Sequence, residues 1–160
     1  MSQSMKSPHP PDVLPQELPV FTLPEFCEVP LGEKNRLTLR KMGDSIVFAE
    51  IKGPVDLGTY DMNLHYEIIE NFLKAASVRM PYVEITAADE YSNQLSVKSR
   101  ETIFRHLREK QSVLVGFSIC GLPMGLRLVS SAGLRLSRLR VKHFFCYRPA
   151  QAIAKARQIL

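Results

Sequence analysis

Seven residues between Asp89 and Arg100 have side chains suited to regulated chemistry: Asp89, Glu90, Tyr91, Ser92, Asn93, Ser96 and Arg100. A phosphate on a serine adds nearly two negative charges and three acceptor oxygens, and a helix N-terminus stabilises an anion placed there. Ser92 and Ser96 are the two candidate positions, and Ser96 is also the natural N-cap of the helix that follows. Without phosphate, the stretch is an acidic loop (Asp89, Glu90) leading into a basic helix (Lys98, Arg100, Arg105), which is the make-up of a surface for protein recognition. A small anion or acidic metabolite held near Arg100 and the same helix start is the alternative. Asp89 and Glu90 are adjacent in a loop, which is weak ground for acid–base work.

Other chemistries find less support. Cys120 as a nucleophile needs a base held beside it, and only His106 or His143, brought in by the fold, can serve. The glycines of the 116–125 run fit neither GxSxG nor GxGxxG, and no Lys-Ser/Thr pair follows. His9, His65, His106 and His143 have no ligand spacing with one another or with Cys27, Cys120 and Cys146. No metal, no cofactor and no enzymatic activity are therefore expected. His65 and His106 are expected on helices and partly exposed.

The elements that must carry the loop follow from periodicity. Arg36–Lys41 alternates, with Leu37 and Leu39 on one face, and Ser45–Lys52 reads as a second strand after a Met42-Gly43-Asp44 turn, so a hairpin is expected. From about Gly58 the period becomes helical: Leu64, Ile68, Ile69, Phe72, Leu73 and Ala76 share a stripe, with Asp56 or Thr59 as cap. Tyr82–Ala87 is a strand. In the helix from Ser96, Val97, Arg100, Ile103, Phe104 and Leu107 share a side, and Glu101–Arg105 and Arg105–Glu109 are spaced as ion pairs. Ser112–Ile119 is a continuous apolar run, as in a buried central strand. A helix over Leu122–Ala132 with Gly133 after its end, a strand over Arg140–Tyr147 and a final helix complete the chain. Strands alternating with helices mean right-handed crossovers and a mixed, mostly parallel α/β sheet with an N-terminal β-hairpin and about four helices.

Seven of the eleven prolines fall in the first 30 residues. A disordered proline-rich tail is expected over residues 1–19, with one domain over 20–160, and Phe21–Val29 as an edge strand because Pro24 cannot donate to a central ladder. The last helix reaches Leu160 with no cap or polar tail, as in a domain followed by others in a longer protein. No apolar run approaches the roughly 18 residues that span a bilayer, and the N-terminus has no apolar core of a signal peptide. With three widely spaced cysteines in addition, a cytoplasmic protein is expected. The net charge of +5 hides an asymmetry. Residues 1–96 carry 8 Lys+Arg against 14 Asp+Glu, and residues 97–160 carry 13 against 2. The cations are spread out and aromatics do not alternate with them, so the clustered footprint of nucleic-acid binding is missing.

In IVFAEIKGPVDLGTY (46–60), PYVEITAADEYSNQLSVKSRETI (81–103) and VKHFFCYRPAQAIAKARQIL (141–160), the chain resembles a STAS domain. That is the fold of bacterial anti-sigma-factor antagonists, and the likeness is to the divergent STAS-like modules at the N-termini of bacterial sensor and signalling proteins. The resemblance implies a non-enzymatic regulator that acts by protein–protein contact with a kinase or output domain, with a homodimer as a further option. It also implies a last helix with a small residue packed on the sheet, and it makes Ser92 or Ser96 the candidate for a phosphorylated serine. The Asp-Ser-Ser-Gly stretch of the antagonists is replaced here by Ser-Asn-Gln-Leu-Ser, which shifts weight from a phospho-switch to relay by contact.

Overall fold

The alternating Leu37 and Leu39 of β3 (Asn35–Met42) are fully buried, and β3 pairs antiparallel with β4 (Ile46–Lys52) through the 43–45 turn. In this computed structural model, which describes residues 18–92 and 96–160, the hairpin seeds a single mixed sheet. The outer edge of β3 is covered by two short strands, β1 (Val20–Thr22) and β2 (Val29–Leu31), separated by a 3-10 turn at Pro24–Phe26. The single edge strand expected over Phe21–Val29 is thus broken in two. Pro24 presets the turn and has no N–H to give a ladder.

From β4 onward the strands are parallel: β4, β5 (Tyr82–Ala88), β6 (Leu114–Cys120) and β7 (Lys142–Cys146) lie side by side in chain order. Between them run α1 (Met62–Ala75), α2 (Val97–Lys110) and α3 (Met124–Leu136); α4 (Pro149–Ile159) closes the chain. A chain that advances one strand at a time in one direction, always by right-handed crossovers, must put every crossover helix on the same face. Accordingly α1, α2 and α3 share one apolar cluster with Leu37, Leu39, Val47, Tyr82 and Phe117. The other face would be bare without α4, whose Ala152 and Ala156 are completely buried against Val83, Ile85, Cys120 and Cys146. These are the small residues on the sheet that the family resemblance implied. β5 lies between the two layers and is buried from Tyr82 to Ala87, as a parallel strand covered on both faces must be. Together these elements make the mixed, mostly parallel α/β sheet read from the sequence.

Several local expectations shift. α1 starts at Met62, and its cap is Asp61, whose carboxylate accepts from the Leu64 amide at 3.0 Å, in place of Asp56 or Thr59. α3 runs through Gly133 to Leu136. A Cβ on Gly133 would stand 3.3 Å from Phe104 of α2, so this glycine marks a close approach between helices inside α3. α2 is rotated from the expected stripe. It buries Ser99, Thr102, His106 and Leu107, while Val97 and Arg100 are exposed. Arg105 donates to Asn63 of α1 at 2.7 Å instead of pairing along its own helix, and Lys110 pairs with Glu70. The reason is what lies beneath: α2 turns a polar seam toward polar groups on β5 and on the 55–60 turn.

Candidate functional site

The N-termini of α1 and α2 and the loop after β5 meet at the carboxyl end of the parallel strands, where open α/β sheets collect functional groups. Two deviations from regular structure bring them together. Gly53 ends β4 with φ near +90°, and a Cβ there would sit 2.2 Å from the Lys34 carbonyl, so the sharp exit from the strand requires glycine. Past Pro54 the chain pairs again: the Val55 amide donates to Glu90 O at 2.9 Å and the Ser92 amide to Val55 O at 2.8 Å. The loop after β5 is thereby joined to the turn after β4.

Both candidate serines hold that turn. Ser92 Oγ accepts from the Leu57 amide at 3.0 Å and lies 3.5 Å from Asp56 Oδ1. Ser96 caps α2 by accepting from the Ser99 amide at 3.0 Å, and its hydroxyl donates to Ser99 Oγ at 2.9 Å. Ser99 Oγ in turn donates to Leu57 O at 2.7 Å. One peptide residue, Leu57, is therefore gripped at its N–H by Ser92 and at its C=O by Ser99, which Ser96 orients. Beside this clamp is a polar recess of about 370 Å³ between the two helix starts, bordered by Thr59, Asp61, Ser96, Lys98 and Thr102.

The other expected site residues separate. Asp89 and Glu90 are exposed next to the clamp. Tyr91, expected at the surface of the loop, is a core residue, and burial pushes its phenol well above the ordinary range. Its ring is where the Val55–Tyr91 pairing turns inward. Arg100 is exposed on the side of α2 facing α3, and Lys98 is the cation at the recess where Arg100 was expected. Asn93 lies outside the described residues.

Two histidines expected to be partly exposed are buried: His65 is 1 % and His106 7 % accessible. His106 Nε2 is 3.0 Å from Glu84 Oε2, on a β5 carboxylate with no solvent exposure, and Tyr66 stacks on His106 at 3.7 Å between ring centres. His65 Nδ1 is 2.9 Å from the Tyr60 hydroxyl. Burial pulls the His65 imidazole down to about 4, with Glu84 opposing that shift and His106 adding to it. This polar layer ties α1 and α2 to the central strand. Its sequence signal was Glu84, a carboxylate within the apolar run YVEITA.

Cys120 belongs to the opposite face, under α4 beside Cys146, whereas His106 and His143 belong to the face of α1–α3. The sheet stands between the thiol and both histidines, and burial pushes the thiol up to about 11. The Cys–His pair is not assembled. Among the described residues, no helix is long and apolar enough to cross a membrane.

No protein-family model matches the chain, and no curated protein matches it. A solved structure does: an uncharacterized protein of the DUF3478 family with a SpoIIAA-like fold, from Shewanella loihica PV-4. It has 12 % identity and a TM-score of 0.51, and the match covers 77 % of this chain and 94 % of that one. At that identity the likeness concerns fold alone, and it agrees with the layers and strand order above. The chain has a SpoIIAA-like, STAS-like fold.

Proposed function

We propose that this chain is a non-enzymatic bacterial signalling module that works by protein–protein contact around the 88–96 loop and the start of α2. It would act as the sensory domain of a larger signal-transduction protein or as a partner of a kinase or output domain. The observation that carries this reading is the Leu57 clamp. Ser92 and Ser96 both hold one turn shared by β4, β5 and the N-termini of α1 and α2. A charge added at either serine, or a partner that engages it, changes a surface built from four elements at once. Exposed Asp89 and Glu90 on one side and Lys98 on the other give that surface both signs of charge, which favours selective docking over strong burial. The test is affinity capture with the whole chain as bait, beside Ser92→Asp and Ser96→Asp. The wild type should retain a defined partner whose recovery changes in one of the two variants. Unchanged recovery in both ends the switch.

A second reading, an anion-binding sensor, draws support from the polar recess of about 370 Å³ at Ser96 and Lys98. A native-state ligand there would raise the unfolding temperature, and Lys98→Gln would abolish that rise without changing partner capture.

A further inference from the structure

α3 is anchored in the core by one buried side chain, Leu134, and touches α2 where Gly133 faces Phe104. Between the two helices and the sheet is a slot of about 330 Å³ whose floor is Phe117 and Ile119 of β6 and Phe145 of β7. Of the residues that line it, only Arg100 and Ser130 are polar. Its outer wall includes Val129 and Leu136, apolar side chains 60 % and 83 % exposed, which an occupant would cover. The slot opens into a shallower recess that shares Arg100, Phe104, Gly133 and Leu136 with it and adds Glu101 and Arg108. Arg100, Phe104 and Arg108 are spaced i, i+4, i+8, so they line one side of α2. Two guanidiniums against one carboxylate leave the mouth positive, and residues 111–160 contain no Asp or Glu. Neither Arg100 nor Arg108 has an ion-pair partner among the described residues.

From this we infer that the slot between α2 and α3 binds a medium-chain carboxylate amphiphile, with the tail between Phe104, Phe117 and Phe145 and the carboxylate at Arg100. An apolar cavity with a few polar groups at one end is the usual form of a small-molecule site. At roughly 30 Å³ per heavy atom, the share one water takes in the liquid, the slot holds about eleven. With the two carboxylate oxygens at the mouth beside Arg100, that corresponds to a chain of about ten carbons inside. Guanidinium matches the planar carboxylate with two parallel hydrogen bonds, which favours it over an alcohol head. The site lies on the far side of α2 from the Leu57 clamp and stands or falls independently of the protein-contact reading.

The experiment is calorimetric titration of the whole chain with sodium decanoate below its micelle concentration, with decanol and decylamine as head-group controls. Decanoate should bind at one site and raise the unfolding temperature. Arg100→Gln should weaken it by about tenfold, the size of a lost charged hydrogen bond. Val129→Trp, at an exposed position where the fold is not at risk, should block entry. Equal binding of decylamine or decanol would overturn the carboxylate assignment, and unchanged affinity in Val129→Trp would overturn the location. A chain that ignores decanoate yet sediments with phosphatidylglycerol vesicles would overturn the slot in favour of a membrane-surface contact.

Discussion

The hydroxyl of Ser99 donates to the carbonyl of Leu57 at 2.7 Å, joining residues 42 positions apart through a contact sealed from solvent. Through it, the first turn of α2 holds the turn after β4. Ser92 holds the N–H of the same residue, and Ser96 acts on it through Ser99.

Ser99→Ala leaves the buried Leu57 carbonyl without that donor. The cost is expected at about 1–2 kcal/mol, the range for an unsatisfied buried acceptor. Urea unfolding should show it, and amide exchange at Leu57 and Gly58 should accelerate more than exchange in β6. Equal acceleration throughout the sheet would mean the bond serves global stability alone.

The two serine positions should respond differently to the same added charge. Aspartate is as good an N-cap as serine and suits the positive end of a helix. That offsets the lost bond that the Ser96 hydroxyl donates to Ser99 Oγ, so Ser96→Asp should leave stability within about 0.5 kcal/mol of wild type. At Ser92 the new carboxylate would face Asp56, whose Oδ1 is 3.5 Å from the present hydroxyl. Repulsion and the altered bond to the Leu57 amide should cost roughly 1–2 kcal/mol. Thermal melts of both variants decide this, and equal melting temperatures would refute the contrast.

His65 predicts an acid-side loss of stability. Its ordinary value of 6.5 falls to about 4 in the fold because burial disfavours the cation. Below pH 6.5 the unfolded chain takes up a proton that the folded chain refuses. The stabilisation present above pH 6.5 is therefore lost as pH falls toward 4, by about 3 kcal/mol at most. Unfolding free energies at pH 7, 5.5 and 4 should show the slope, and His65→Asn should flatten it. A slope unchanged in the variant would assign it to other groups.

Much of the architecture was legible in the residues, because it depends on local periodicity and on chain direction. Leu37 and Leu39 alternate, the stripe from Leu64 to Ala76 repeats at helical spacing, and strand–helix alternation leaves few topologies once crossovers are right-handed. That the last helix packs a small residue on the sheet was implied by the family resemblance, and Ala152 and Ala156 of α4 take that place. The rotation of α2 was not. Its apolar residues suggested one inward side, but the direction a helix turns is decided by what it meets. Ser99 meets the Leu57 carbonyl and His106 meets Glu84, partners 42 and 22 residues away. Ser92 and Ser96 were recognisable as candidates by type and position alone. That both bear on Leu57, that Tyr91 turns into the core, and that Arg100 faces α3 are results of long-range packing. Such contacts leave no period in the sequence, so only the tertiary structure decided them.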